Sequence, residues 1–586
     1  MTAAYTQAPS KMLPAVRAMM AERQEEAWQK EYGRGFAEAV TGPAWPYISN
    51  RYESIARRVN HGEANRWARE YEPLVRHDLY LAAGDGEIKI FCDQRVTECE
   101  RWIQAETLPR SLRHCRAVLT RYGMEWTALD GALYQFDQSE DADETRLWPF
   151  AARLMCARWW RRQVRRLQCR VVDQYQRQRQ SVAKYRQVYC SDWLVKNRDK
   201  AAKRNREALE RSTAENSEGQ AYTLAELADL GVSNPEIKRA ELMTRIRGFE
   251  EVAQARGHVG EFWTFTAASR WHRMRWLKKA GKAAPVKAWN GSDPRAVQDW
   301  LCSIWAKIRA ALDRAGIKLY GFRVVEPHHD GTPHWHLLVF IRECDAVQAR
   351  KICRRYLWRE DAPQEKNSWR HRFNAKRIDP AKGTASGYIS KYIAKNIDGE
   401  GVRGSLYLQD DDSGLDMRNA AVRVRAWSAG YGIRQFQQIG GPSVTVWREL
   451  RRLWSAGEPG QGDLFECEEA RDAGEAADCG DWAAYVEAMG GPLLPRSDRP
   501  VKPGYWVEAQ YSESLDTATG EVLPVRVYRP SSQYGDTPKG SIFGLLVGAL
   551  SVPVLTRFYT WSVAWCALPA KEDGQAQAPP GFAVTA

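Results

Sequence analysis

The 586-residue sequence predicts an α+β protein of several units. Three observations carry that prediction. Residues of about 146–250 show helical spacing, which gives way after Gly260 to short, aromatic-rich, alternating stretches. A tight-turn signal joins two of those stretches, and helical stretches separate others. A second β-rich stretch follows an acidic, Gly- and Ala-rich segment. The length itself favours more than one domain, since a domain takes about 150 residues. With 44% hydrophobic and 27% charged residues, a sizeable core can form. A disordered, collagenous or coiled-coil chain is excluded.

Charge points to a polyanionic partner. Lys and Arg total 86 against 73 acids, a net charge of +13. Arg158–Arg206 alone holds 16 Lys/Arg and three Asp, an excess as large as that of the whole chain. Glu458–Glu487 holds ten acids and one Arg. Such asymmetry suits nucleic acid. The 12 cysteines are scattered. Neighbours such as Cys92/Cys99 and Cys344/Cys353 make no CxxC pattern, so they read as reduced, mostly buried thiols of a cytosolic protein. Met1–Met20 has no apolar run of the kind a secretory signal needs. Ser541–Leu555 is apolar, but Pro553 and Arg557 interrupt it before Phe558–Leu568 resumes. A membrane span needs about 20 apolar residues in a row, so two strands are expected here, and no membrane.

In chain order, residues 1–145 mix helical segments with many Trp and Arg and carry no chemical motif. Residues 146–254 are expected to be a basic helical region. Arg161, Arg162, Arg165, Arg166 and Arg170 recur at helical spacing, with Trp159, Trp160, Val164 and Leu167 between them. This is either the solvated face of a scaffold helix or a phosphate-binding face. The second is favoured, because so many like charges otherwise repel. Residues 255–455 take in the β-rich core. Phe262–Ala267 (FWTFTA) alternates like a strand. Asp299–Ala315 reads as a helix through Trp300, Ile304 and Ile308. Ile317–Glu326 and His334–Ile341 are strands, joined by Pro327–Pro333 with its Asp-Gly turn signal. Ala346–Trp358 is helical. Ser386–Ile397 is a short helix, stopped by Gly399. Residues 456–500 read as an acidic linker, 501–570 as a small β-rich unit and 571–586 as a loose tail.

The chemistry sits in two elements. His334 and His336 alternate on one strand, so both imidazoles face one side. Trp335, Leu337 and Val339 then face a core. Two same-side imidazoles can share a divalent metal, or they can be a structural pair. Glu326 ends the preceding strand, and closure of the hairpin brings its carboxylate near. Two His and one carboxylate leave open metal positions, suited to Mg or Mn on phosphate, or to Zn or Fe elsewhere. The second element is SGYISKYIAKN (Ser386–Asn396). Tyr388 and Tyr392 are four apart on one helix face, with Lys395 on the same side and Lys391 beside it. Ile389, Ile393 and Ile397 form a separate stripe that would dock on a sheet. A phenol is a poor nucleophile at neutral pH, and adjacent ammonium groups favour its ionised form. A metal can offset charge on transition-state oxygens. The bland reading of the helix is two half-buried aromatics and solvated lysines. Together the two elements make a coherent phosphodiester transesterase with a tyrosine nucleophile.

These residues resemble a known family. The run EPHHDGTPHWH (Glu326–His336), preceded by FWTFT and followed by YISKY, resembles the HUH endonucleases, and most of all the gene A-type replication initiators of bacteriophages. The basic segment CARWWRRQVRRLQCR (Cys156–Arg170) and YCSDWLV (Tyr189–Val195) resemble that phage group too. The resemblance covers roughly residues 150–450. It is weak at the N-terminus, absent through the acidic segment and faint at TRFYTW (Thr556–Trp561). It implies a central antiparallel sheet bearing the histidines, with the tyrosines on a neighbouring helix. It implies His334, His336 and Glu326 as ligands of a divalent metal ion, Mg or Mn. It implies Tyr388 and Tyr392 as paired nucleophiles, with Lys391 between them. The activity implied is nicking of one origin strand, with a 5′-phosphotyrosine and a free 3′-OH that primes rolling-circle synthesis. The second tyrosine would cut the regenerated origin.

His328, His329 and Asp330 lie in the turn. Asp330 reads most simply as the turn residue, and the two histidines as solvated or as touching DNA or the metal's surroundings. Arg354, Arg355 and Arg359 with Arg370, Arg372, Lys376 and Arg377 form a basic patch interleaved with Trp358, Trp369 and Phe373. That pattern suits a single strand or a solvated Arg-rich face. The expected DNA contacts are Arg161, Arg162, Arg165, Arg166, Arg354, Arg355, Arg372, Lys376 and Lys395. No GxxxxGK[ST] loop is present, so a host helicase and replication polymerase are the expected partners, alongside single-stranded or supercoiled origin DNA in the bacterial host cytoplasm. Other readings are a paired-tyrosine transposase or plasmid relaxase, a non-catalytic nucleic-acid-binding protein, and a metal hydrolase that uses water.

Overall fold

The computed structural model describes residues 23, 37–38, 41–139, 143–359, 369–400, 410, 414–456, 467–506, 509–515, 522–528, 534, 541–559 and 561–564. The expected tail at 571–586 lies outside them. Contacts divide the chain into two units, 1–175 with 532–536 and 176–531 with 537–586. The divide falls inside the basic region expected at 146–254.

The first unit is mostly helical: α1 (Trp45–Arg58), α2 (His61–Arg69), α3 (Asp85–Ala105), α4 (Leu108–Arg121), α5 (Thr127–Gln138) and α6 (Trp148–Leu154). Helix α4 shows why these segments fold. Pro109 sits in its first turn, where its missing N–H costs nothing. Leu108, Leu112, Cys115, Val118 and Leu119 fall on one stripe and are buried. Helix α7 (Ala157–Gln178) buries Trp160, Val164 and Gln168, and its C-terminal end falls in the second unit.

In the second unit, α8 (Asp192–Arg211) begins at Ser191, whose hydroxyl accepts from the Leu194 N–H. Strands β1 (Thr213–Asn216) and β2 (Ala221–Thr223) pair, and α9 (Pro235–Ala255) follows. Then come β3 (His258–Phe265), α10 (Pro294–Arg314), β4 (Leu319–Pro327), β5 (Pro333–Arg342), α11 (Glu343–Arg359), β6 (Phe373–Arg377), α12 (Ala385–Ile397), α13 (Met417–Tyr431), β7 (Phe436–Ile439) and α14 (Val444–Ala456). Strands β6-β3-β5-β4-β7, in that order, form a five-stranded, wholly antiparallel sheet. The mixed α+β class is as expected.

Both faces of this sheet are covered. On one, Tyr320, Phe322, Val324, Leu338 and Phe340 meet Leu242, Ile246 and Phe249 of α9 and the isoleucine stripe of α12. Each isoleucine removed from water stabilises the docked helix by about 2 kcal/mol. On the other face Trp335 is buried, and its indole N–H donates to Gln298 Oε1 of α10 at 3.0 Å. Gly399 ends α12 as expected: at φ +79° it donates its N–H to Ala394 O at 2.8 Å.

Two expectations fail. The acidic stretch is no linker where it is described. Helices α15 (Glu468–Asp478) and α16 (Trp482–Ala488) pack into the same core through Ala470, Ala473, Ala477, Trp482, Tyr485 and Val486. Its alanines lie inward and its acids outward, so a composition that looks like a linker is amphipathic at helical spacing. Gly248 of α9 makes the approach feasible, because a Cβ there would lie 2.6 Å from Cβ of Trp482. Nor is the C-terminal β-rich stretch a separate unit. Strands β8 (Val501–Trp506), β9 (Ser541–Val547) and β10 (Val552–Leu555) form a three-stranded antiparallel sheet. Val501, Leu545, Val547 and Val554 complete the core of the large sheet. Strand β11 (Trp561–Ala564) pairs with β1. Among the described residues, no helix is long and apolar enough to cross a membrane.

Candidate metal centre and tyrosine helix

The hairpin of β4 and β5 places Glu326 directly opposite His334, and Val324 opposite His336. The expected proximity of the carboxylate is therefore found. The Nε2 atoms of His334 and His336 lie 2.7 Å apart, and His336 Nε2 is 3.8 Å from Glu326 Oε2. Two ring nitrogens this close need a shared proton or a shared cation between them. All three side chains are buried. Burial, helped by Lys395, holds both imidazoles well below the usual histidine range, so they are neutral and able to ligate. His336 Nδ1 lies 3.3 Å from Thr264 Oγ1, which leaves Nε2 for a ligand. His334 Nδ1 has no hydrogen-bond partner among the described residues. One donor atom from each residue lies within 4.8 Å of the others, so this group could hold a metal ion. Two neutral nitrogens and one carboxylate fit a divalent cation that keeps open positions.

Behind the carboxylate lies a buried polar chain. Asn396 donates to Glu326 Oε1 at 2.7 Å and accepts at Oδ1 from Gln435 at 2.7 Å. The Lys395 ammonium is 3.6 Å from Glu326 and 3.1 Å from Asp410, and it is 2% exposed. It also sits 4.7 Å from the ring of Tyr189, whose hydroxyl donates to Asp410. Burial pushes that phenol up, so it stays a neutral donor. None of Asp410, Asn396, Gln435 and Tyr189 was singled out for a role from sequence. Asn396 lay in the motif and Tyr189 in the YCSDWLV segment, but no local periodicity connects them with Glu326.

The loop between the two strands is more than a turn. Asp330 is fully buried; its carboxylate accepts from the Met274 and Thr332 N–H groups and faces His272 Nδ1 at 3.4 Å. Burial alone would push this carboxyl up, but His272 and Arg177 hold it well below the usual carboxylate range. Arg177 donates to the Asp330 carbonyl at 3.1 Å. His328 stacks on His334 with ring centroids 4.0 Å apart. Asp330 does lie in the turn, as expected, and these contacts add a buried bracing role to it.

Helix α12 starts at Thr384, whose hydroxyl accepts from the Gly387 N–H at 3.1 Å, and Glu250 of α9 accepts from the Ala385 and Ser386 N–H groups. The helix carries Tyr388 and Tyr392, both half-buried at the edge of the core. The Tyr392 ring lies 4.1 Å from that of His336, and Phe262 stacks on both. Lys376 lies 4.9 Å over the Tyr388 ring. Lys391, between the tyrosines, is half-buried.

Residues 88–400 match the family model of the bacteriophage replication gene A protein (GPA). The chain belongs to this family. It is 39% identical to the replication gene A protein of Escherichia phage 186 over 425 residues, 72% of this chain and 56% of that protein. It is 37% identical to the replication gene A protein of Escherichia phage P2 over 383 residues, 64% of this chain and 49% of that protein. A probable replication endonuclease from a prophage-like region of Shigella boydii serotype 4 is 32% identical over 365 residues, 61% of this chain and 44% of that protein. The chain spans about half the length of the curated relatives it matches. No solved structure matches it. In this gene A family chain the matched span holds the three donor residues and the tyrosine helix. Asp410, Gln435 and the C-terminal strands lie beyond it.

The cations expected to meet DNA divide into two groups. Arg162, Arg166, Arg354, Arg355 and Lys376 are exposed, and Arg161 is half-buried. Arg165 is half-buried and paired with Asp85 at 2.7 Å. Arg372 and Lys395 are buried, which corrects their expected place on a DNA-facing surface. A carboxylate pair holds Lys395 inside, and this outweighs the pull of solvent on its ammonium.

Proposed function

We propose that this chain is a metal-dependent, site-specific single-strand DNA endonuclease and strand transferase of the HUH type, which starts phage rolling-circle replication. The observation that carries the reading is the close approach of the Tyr392 ring to that of His336, at 4.1 Å, beside a buried Glu–His–His donor group. The tyrosine helix and the donor group thus lie on one face of the sheet. Membership of the gene A family supports the same reading, as does the likeness to the probable replication endonuclease of Shigella boydii.

In this reading His334, His336 and Glu326 hold Mg or Mn. The ion, when bound, supplies Lewis acidity to a phosphate oxygen. Asn396 and Lys395 fix the Glu326 carboxylate, and Phe262 fixes Tyr392 against the sheet. One tyrosine hydroxyl, Tyr388 or Tyr392, attacks phosphorus and loses its proton. The bond from phosphorus to the 3′ oxygen breaks, and that oxygen leaves as a 3′-OH. Lys391 offsets charge on the phosphate oxygens. The phosphodiester is conserved as a 5′-phosphotyrosine, so rejoining needs no ATP. The second tyrosine repeats the step on the regenerated origin. Origin DNA is the substrate, the host cytoplasm the site of action; a host helicase unwinds the duplex and a host polymerase extends the primer.

An adduct assay tests this. Labelled single-stranded genome fragments are mixed with protein and Mn or EDTA, then run on a denaturing gel. The expected result is a metal-dependent label on the protein that is abolished in Tyr388→Phe/Tyr392→Phe. Cleavage with free ends and no adduct would sink the tyrosine chemistry in favour of water as nucleophile.

A further inference from the structure

A cleft of about 680 Å³ opens where α9, β7 and β8 meet, on the same sheet face as the histidines. Phe322 lies at its base, four residues before Glu326 on β4. At about 3.3 Å per residue, the cleft begins roughly 13 Å along the sheet from the carboxylate. Its lining is strongly cationic, and Glu241 is the single acid among the lining residues. That acid is already engaged: Arg448 holds it through two bonds of 2.8 Å, and Arg245 lies 3.2 Å away. Among the described residues, Lys238, Arg434, Arg496 and Lys502 pair with no carboxylate. Lys238 instead covers the Phe436 ring at 5.3 Å. Beside Lys502 on β8, Tyr505 is 52% exposed, an aromatic ring left open at the cleft wall.

We infer that this cleft is a second DNA site, which holds a single strand away from the cleavage centre. Unspent cations would track the backbone, and Tyr505 would stack on a base. Those are the two devices by which single strands are held without sequence preference. A duplex suits the cleft less, because its bases are already stacked and offer no face to Tyr505. The four cations come from the start of α9, the approach to β7, the turn before β8 and β8 itself, so no charge run in the sequence announces them. The assignment gives the C-terminal strands a task beyond completing the core. It rests on the reading of the chain as an enzyme of single-stranded DNA.

The test is fluorescence anisotropy with labelled oligodeoxythymidylate of about 20 nucleotides, longer than the roughly 4–16 that one single-strand module covers. Wild type is compared with Tyr505→Ala and with Arg496→Gln/Lys502→Gln over a range of salt. Melting by circular dichroism is expected to be unchanged, since these side chains are exposed or at the surface. Tyr505→Ala is expected to weaken binding about tenfold. The double variant is expected to flatten the logarithmic salt slope by about 1.4, at 0.7 for each lost phosphate contact. Adduct formation at saturating DNA is expected to persist in both. Affinity and slope equal to wild type in both variants overturn the cleft, as does a wild type that binds no single strand. Weakened binding in a protein that forms no adduct upholds the cleft and counts only against the nuclease reading. A variant that melts early is replaced by Lys502→Glu, for which a steeper loss of affinity than in Lys502→Gln is expected.

Discussion

The rings of His336 and Tyr392 lie 4.1 Å apart, tilted by 38°. One residue belongs to the central strand of the sheet, the other to a helix that docks on it through three isoleucines. Phe262, from the strand on the other side of β5, stacks at 5.3 Å on each. The phenol is thus positioned by packing within the sheet and not by the helix alone.

Removing that packing should separate the two tyrosines in function. Phe262→Ala is expected to slow the step that uses Tyr392 by about 100-fold, the scale expected for a misplacement of about 1 Å. The step that uses Tyr388 should change much less. Rates of adduct formation measured in Tyr388→Phe and Tyr392→Phe backgrounds check this. Equal slowing in both would mean that Phe262 supports the whole helix.

The donor group makes a separate prediction. His334→Ala/His336→Ala is expected to lose Mn binding in calorimetry and to lose cleavage, while keeping most of its affinity for single strands. Proportionate loss of cleavage and DNA affinity would show that the histidines serve binding or folding and not a metal.

Lys395 is held between two buried carboxylates. Lys395→Met keeps the length of the side chain and removes the charge, leaving Glu326 and Asp410 uncompensated. The expected cost is about 3–5 kcal/mol, read as a lower Tm and a smaller unfolding free energy in urea. An unchanged Tm would place this lysine in solvent.

Asp330 gives a pH signature. Its folded-state carboxyl is held below the ordinary value, so its contribution to stability is present above an unfolded-state value of about 3.9. That contribution is lost as pH falls from about 4 toward the folded-state value. Asp330→Asn is expected to cost about 3 kcal/mol at neutral pH and to flatten the acid limb of the stability curve below about pH 4. Urea unfolding between about pH 3 and 7 measures both. An acid limb as steep as that of wild type would clear Asp330 of this role.

Much of the centre was legible because it is local. Period-two alternation put His334 and His336 on one face, and the turn between two strands brought Glu326 opposite His334. The isoleucine stripe docked α12 as its spacing implied. Burial of Lys395 was not legible, because a helical wheel places a lysine by its neighbours along the chain. Its partner Asp410 is 15 residues further on, and Tyr189 is remote. The acidic stretch was misread because Ala, Gly and acids are common to linkers and to thin amphipathic helices. Only the groove offered by Gly248 and Trp447 shows which applies.

The bond between Tyr189 and Asp410 spans 221 positions. A ribosome adding about 5–20 residues per second takes about 10–45 s to cover that distance. Through this interval the basic helix α7 is already made, while the set of groups that brace Glu326 is incomplete. Gln435 and the strands after it emerge later still. On the proposed reading, the basic helix that would meet DNA is therefore made well before the donor group is fully braced.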